Sequence, residues 1–82
     1  MNGTQLETTM NPLRAFRKER HLTANKVANE LGLTERTVLA YETGAFRPSN
    51  ARLSDIAHLM GVEFNLLDSE WSWWQETLKN EA

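Results

Sequence analysis

Glu35, Arg36 and Thr37 are three polar residues at the start of a short predicted helix, within the stretch GLTERTVLAYETG of residues 32–44. A carboxylate, a guanidinium and a hydroxyl at successive positions supply hydrogen-bond donors and acceptors of different kinds. The buried side of this helix is thin, and none of its own residues is an evident partner for the three side chains. What they bind depends on the elements that position them.

Catalysis is a rival interpretation of other polar residues. Ser54, Asp55 and His58 lie within five positions and carry the groups of a catalytic triad, but they fall opposite the apolar stripe of their predicted helix. His21 and His58 have no cysteine or acid pair at ligand spacing, and no glycine-rich phosphate loop follows a strand. We therefore expect no enzyme, no metal site and no cofactor.

Length and composition indicate one small intracellular domain. The chain has 82 residues and no cysteine, so neither a disulfide framework nor a thiolate zinc site is available. The first ten residues, MNGTQLETTM, lack the basic start and apolar run of a signal peptide, and no segment has the length of a membrane span. We expect a soluble cytoplasmic protein without a membrane partner.

Charge is unevenly distributed along the chain, whose formal net charge is −2. Residues 12–52 hold eight basic and four acidic side chains, a balance of +4. Residues 53–82 hold six acidic side chains and one lysine, a balance of −5. A mildly basic body with an acidic tail is compatible with binding a polyanion through one face.

Helical periodicity extends over the chain, and no alternating or β-branched run is long enough for a strand. Asn11 before Pro12 is typical of a helix start, and this first helix is expected to end near Arg20. Thr23 is the expected N-cap of a second helix, which Gly32 ends in a left-handed conformation. The sequence therefore predicts an all-α chain that begins with two short helices.

Two further helices are predicted from the same kinds of cap. Thr34 is the expected N-cap of a third helix, which ends before Gly44. Ser49 or Asn50 is the expected N-cap of a fourth, amphipathic helix, which Gly61 ends. The last part of the chain is expected to form a short fifth helix and then a separate final helix, capped by one of its serines at 69 or 72.

The expected fold is a compact all-α bundle of about five short helices with a C-terminal helical extension. The chain is expected to have three parts, which are a disordered N-terminal arm at residues 1–10, a globular body at residues 11–68 and a Trp-rich helical tail at residues 69–82.

The second and third predicted helices, joined by a turn that contains glycine, form a helix-turn-helix arrangement. From Leu13 to Leu67 the sequence resembles the phage repressor and Cro family of bacterial and phage transcriptional regulators. The residues that carry the resemblance are Arg17, Thr23, Ala28, Gly32, Leu33, Glu42, Gly44, Pro48, Ser49, Ile56, Ala57, Gly61 and Val62. The resemblance implies a lambda repressor-like DNA-binding domain at residues 11–68 and a sequence-specific regulator of transcription, a repressor, that binds double-stranded DNA.

The third helix would then be the recognition helix, which lies in the major groove with its first turn at the base edges. Arg36 can make two hydrogen bonds to guanine, and Glu35 can accept one from cytosine N4. Ala40, one turn further, offers at most a methyl contact. The residues expected to read bases are Thr34, Glu35, Arg36, Thr37 and Ala40.

Phosphate contacts are expected at the start of the second helix and after the recognition helix. Many relatives place a glutamine after the threonine cap, where it contacts a phosphate and braces the recognition helix, whereas this sequence has Ala24. The backbone N–H groups at that helix end can still bind a phosphate. The residues expected to contact phosphates are Thr23, Ala24, Asn25, Arg47 and Asn50.

The resemblance also implies a structural ion pair. The residues that match Arg17 and Glu42 form a buried or half-buried pair in the family, which ties the first helix to the recognition helix. We expect this pair to orient the two helices rather than to perform chemistry.

The tail carries an apolar stripe of tryptophans beyond the expected end of the family domain. We expect a homodimer on a palindromic operator, with an interface formed by Phe64, Leu67, Trp71, Trp74 and Leu78. Two alternatives remain open. The final helix could fold back and cover its own domain, or the protein could be an antitoxin that binds DNA through the same fold and a toxin through this tail.

Overall fold

The computed structural model describes residues 10–81, with side chains to residue 80. The expected disordered arm lies outside the described residues except at Met10. All secondary structure within residues 10–81 is helical, which confirms the all-α prediction. The helices are α1 (Pro12–Glu19), α2 (Ala24–Leu31), α3 (Glu35–Thr43), α4 (Asn50–Met60) and α5 (Phe64–Glu81).

The starts of the first four helices follow from local hydrogen bonds. Asn11 Oδ1 accepts from the backbone N–H groups of Leu13 and Arg14 at 2.8 and 3.1 Å. The next three helices have hydroxyl N-caps, which are Thr23, Thr34 and Ser49. Each hydroxyl accepts a hydrogen bond from the backbone N–H of the residue three positions later. Each bond satisfies one of the N–H groups that a helix start leaves without a helical partner.

The C-terminal part differs from the prediction of two helices. Phe64–Glu81 is one continuous helix of 18 residues, and Ser69 and Ser72 lie inside it rather than at a cap. The segment contains no glycine or proline, so nothing in it interrupts the backbone hydrogen bonds. No helix in the described part of the chain is long and apolar enough to span a membrane.

The core is formed where α5 packs against α1 and α4, which in turn contact α3 and α2. Trp71 and Trp74 meet edge to face within it, with ring centroids 6.2 Å apart. The buried apolar side chains are Leu13, Ala24, Val27, Ala28, Val38, Tyr41, Leu53, Ile56, Ala57, Leu67, Trp71 and Trp74. The helix-turn-helix segment and the C-terminal helix therefore share one core.

Candidate nucleic-acid interface

Helix α3 has one buried and one exposed face. Val38, Tyr41 and Glu42 point into the protein, and they hold the helix against the rest of the domain. The opposite face carries the exposed residues Glu35, Arg36, Leu39 and Thr43. A helix fixed along one side and free along the other can enter a groove without losing its position in the fold.

Arg17 and Glu42 fix the orientation of α3 relative to α1. The Nε and Nη2 atoms of Arg17 donate to the two carboxylate oxygens of Glu42 at 2.7 and 2.9 Å, and Nη1 donates to the backbone carbonyl of Leu22 at 3.2 Å. The hydrogen bond to Glu42 raises the pKa of Arg17, while burial opposes the shift. The structure thus brings together the two residues expected to pair.

Thr34 and Thr37 are joined in the cap of α3. Their hydroxyl oxygens lie 3.0 Å apart, and the backbone N–H of Thr37 donates to Thr34 Oγ1 at 3.2 Å. The sequence suggested no partner for Thr37 on its own helix, yet the preceding cap residue provides one. A base that meets either hydroxyl would share it with this cap.

Arg36 is exposed in the first turn of α3. Residues 12–52 hold eight cationic side chains, and six of them have an ion pair or an aromatic ring as a partner among the described residues. Within residues 10–81, Lys18 and Arg36 have no such partner. Of these two, Arg36 alone lies on the outer face of α3, beside the exposed Glu35.

Leu39 was not among the base-reading residues expected from the sequence. It is 39% exposed, whereas the expected Ala40 is only half-exposed at the edge of the same face. Leu39 follows Glu35 by four residues and Arg36 by three, so the three side chains are neighbours on the helix surface. That spacing was the signal in the sequence that could have revealed Leu39.

The start of α2 places three expected phosphate contacts together. Thr23 Oγ1 accepts from the backbone N–H of Lys26 at 3.0 Å, and Asn25 is exposed. The side chain of Ala24 is part of the core, so only the backbone N–H of this residue is available to a phosphate. The site at this helix end consists mainly of backbone donors.

Arg47 is bound to α5 in the structure, although the sequence suggested a phosphate contact. Its Nη2 atom donates to Asp68 Oδ1 at 2.6 Å, and its Nη1 atom donates to Gln75 Oε1 at 3.0 Å. Asn50, the other expected contact in this region, is exposed at the start of α4. A phosphate would therefore have to compete with a carboxylate for Arg47.

The end of α3 also lies against α5. Gly44 ends α3 with φ +87°, and a Cβ atom at this position would lie 3.0 Å from Leu78 Cδ1 and 3.4 Å from Trp74 Cη2. The absence of a side chain at Gly44 allows the C-terminal helix to approach the last turn of α3. Helix α5 is thus a direct support for the recognition helix.

The five residues expected at a dimer interface differ in how far they are buried within their own chain. Leu67, Trp71 and Trp74 are buried within their own chain, whereas Phe64 and Leu78 are half-buried. A side chain without exposed surface has none to offer a second copy, so the burial of the first three does not support an interface role. It favours the alternative in which this helix covers its own domain.

Comparison with known proteins agrees with this geometry. The sequence profile of the helix-turn-helix family matches residues 13–67, about two thirds of the chain and nearly the span of the resemblance found in the sequence. No curated protein and no solved structure matches the chain significantly. The matched segment contains α2, its turn and α3, with the buried and exposed faces described above. The chain belongs to the helix-turn-helix family of the phage repressor and Cro type, and it is a DNA-binding transcriptional regulator.

Proposed function

We propose that this protein represses transcription by binding a specific palindromic sequence in double-stranded DNA as a homodimer, with α3 in the major groove. The observation that carries the proposal is the exposed guanidinium of Arg36, which has no partner within residues 10–81 and lies on the free face of α3. The planar guanidinium group has several N–H donors, and two of them can bond to the two acceptors of guanine, O6 and N7.

The remaining base contacts follow from the position of each side chain on α3. Glu35 accepts a hydrogen bond from cytosine N4 beside the guanine that Arg36 reads. Thr34 and Thr37 contact bases through hydroxyls that also form the helix cap. Ala40 lies at the edge of the face and contributes a methyl contact.

Phosphate contacts on both sides of α3 set the position of the protein on the duplex. The backbone N–H groups at the start of α2, with Thr23 and Asn25, bind one phosphate, because a helix N-terminus attracts anions. Asn50 binds another from the start of α4. Arg47 joins this second site by exchanging Asp68 for a phosphate oxygen.

The homodimer requires an apolar surface that the monomer leaves exposed. Leu66 and Trp73 on α5 are 52% and 54% exposed, and they are seven residues apart, so they lie on one side of the helix. Phe64 and Leu78 are half-buried and pack against the core on the side of α5 that carries the buried tryptophans, so the proposed interface uses Leu66 and Trp73 instead. Two recognition helices about 34 Å apart would read twice as many bases as one.

The antitoxin function uses the same exposed surface. A toxin that covered Leu66 and Trp73 would replace the second copy, and the protein would still bind DNA through α3. Sedimentation of the purified chain separates the two functions, since the repressor is a dimer by itself. A chain that remains monomeric at the concentration of its DNA complex would favour the toxin partner.

Selection of bound sequences from a random pool of duplex DNA tests the proposed function. We expect an enriched palindrome whose half-sites each contain a guanine read by Arg36. The logarithm of the affinity for this site should fall linearly with the logarithm of salt concentration, by about 0.9 per contacted phosphate. A pool without enrichment, or an affinity that does not respond to salt, would contradict sequence-specific binding to DNA.

A further inference from the structure

The geometry points to Leu39 as a specificity-determining residue that reads the 5-methyl group of a thymine in each half-site. This inference rests on the proposed function, because it concerns the groove-facing side of α3. It goes beyond that function by naming a base and the chemical group through which that base is recognised.

Leu39 occupies the middle of the exposed face of α3. The exposed residues of this helix are Glu35, Arg36, Leu39 and Thr43, and Leu39 lies between Glu35 and Arg36 around the helix axis. Leu39 lies one turn beyond Glu35 and about 4.5 Å along the helix axis from Arg36. A helix that presents Arg36 to one base pair therefore presents Leu39 to a neighbouring one.

The described residues of the domain leave 39% of the surface of Leu39 uncovered. Four large apolar side chains are well exposed within the described residues, and they are Leu39, Phe46, Leu66 and Trp73. Phe46 lies in the loop after α3, and the last two lie on α5. Leu39 alone among the four lies on the recognition helix, between polar residues assigned to the bases.

The chemistry of the major groove selects the base. The groove edges of guanine, cytosine and adenine present hydrogen-bond donors and acceptors, whereas thymine adds an apolar group, its 5-methyl. A leucine against a donor or acceptor would remove that group from water without a new hydrogen bond, which is unfavourable. Against the thymine methyl, the same side chain buries apolar surface on both partners.

Deoxyuridine substitution tests this contact, because deoxyuridine lacks the 5-methyl group and keeps the hydrogen-bonding edge of thymine. The wild-type protein is first used to select its preferred duplex from a random pool. Each thymine of one half-site is then replaced in turn, and the equilibrium affinities of wild type, Leu39→Ala and Phe46→Ala are measured. Phe46→Ala is the matched control, since it also shortens an exposed apolar side chain close to α3.

At one thymine position, the replacement should weaken wild-type binding about fourfold, as expected for one methyl group returned to water. Leu39→Ala should bind the thymine and deoxyuridine duplexes equally, and Phe46→Ala should keep the wild-type difference. The Leu39 assignment is overturned if no position responds in wild type, or if Leu39→Ala retains the response. Failure of the pool to yield any preferred duplex would instead overturn the proposed function, and this inference with it.

Discussion

Arg17 and Glu42 form a bidentate ion pair that joins α1 to the recognition helix, with N–O distances of 2.7 and 2.9 Å. The side chain of Glu42 is 1% exposed and that of Arg17 is 11% exposed, so the pair is largely removed from water. Each charge depends on the other, because a buried charge without a partner is strongly unfavourable.

Removing one member of this pair should cost more stability than removing both. We expect Glu42→Gln to lower the free energy of unfolding by about 3 kcal/mol, because it leaves the guanidinium of Arg17 without its carboxylate. The double variant Arg17→Met with Glu42→Met should lose less than Glu42→Gln, since no buried charge is left without a partner. Urea unfolding of the wild type, the single variants and the double variant measures these differences. Additive losses would show that the two side chains act independently.

Substitution of Gly44 should reveal the contact between α3 and α5. Gly32 and Gly44 both have a positive φ, at +71° and +87°, so an alanine costs about 1–2 kcal/mol at either position. A Cβ at Gly32 would meet nothing within 4 Å, whereas one at Gly44 would press against Leu78. We therefore expect Gly44→Ala to be the more destabilising substitution in urea unfolding. Equal losses would mean that Leu78 moves aside without cost.

Arg36→Ala should change the sequence preference of the protein. We expect a loss of about 1–3 kcal/mol on the preferred site and a relaxed preference at one base position per half-site. Lys18→Ala is the control, because Lys18 is the other cation without a partner in the described residues but lies on α1. Selection from a random pool with each variant measures the preference. Equal weakening of specific and random DNA by Arg36→Ala would assign Arg36 to a phosphate instead.

Asp68→Asn should strengthen binding to all DNA sequences alike. The change removes the carboxylate that holds Arg47, so the guanidinium becomes available to a phosphate. Glu70→Gln is the matched control, since it removes the same charge from an exposed position of α5. Salt titrations on one random duplex compare the two variants, and Asp68→Asn should bind more tightly with a steeper salt dependence. If both variants bound DNA equally tightly, the gain in affinity would come from the change in net charge and not from the release of Arg47.

A chain truncated after Ser69 should not fold cooperatively. The truncation removes Trp71 and Trp74, which are buried in the core. Each tryptophan buries about 150–250 Å², which corresponds to about 4–6 kcal/mol, and a whole domain has about 5–15 kcal/mol of stability. A chain truncated after Lys79 keeps both rings and should unfold in a single thermal transition, followed by circular dichroism. A similar transition in the shorter chain would show that the domain is complete without the tail.

The sequence alone determined the first four helices and the helix-turn-helix family. Thr23 and Thr34 cap their helices as the pattern predicted, and of the two candidates for the fourth helix, Ser49 and Asn50, Ser49 is the cap. Each cap is a hydrogen bond to a residue three positions away. Such short-range bonds depend little on the rest of the fold. The family followed from the spacing of many residues between Leu13 and Leu67, and the match over residues 13–67 confirms it.

The last helix could be predicted only in part. The apolar spacing of Trp71, Trp74 and Leu78 correctly indicated a helix, but the two serines suggested a boundary that does not exist. A serine caps a helix only where the backbone before it is not helical, and Phe64–Glu81 has no residue that breaks the helix. Capping propensity alone cannot distinguish a helix start from a serine inside a longer helix.

Only the tertiary structure decided what the apolar stripe of α5 contacts and which cation remains free on α3. An apolar stripe indicates that one face of a helix is buried, but that face can pack against the core of its own domain or against a second chain. Likewise, Arg36 and Arg47 are both arginines near the recognition helix in the sequence, and only the fold brings Asp68 and Gln75 to Arg47. Contacts between residues more than twenty positions apart depend on how the helices pack, which local spacing does not specify.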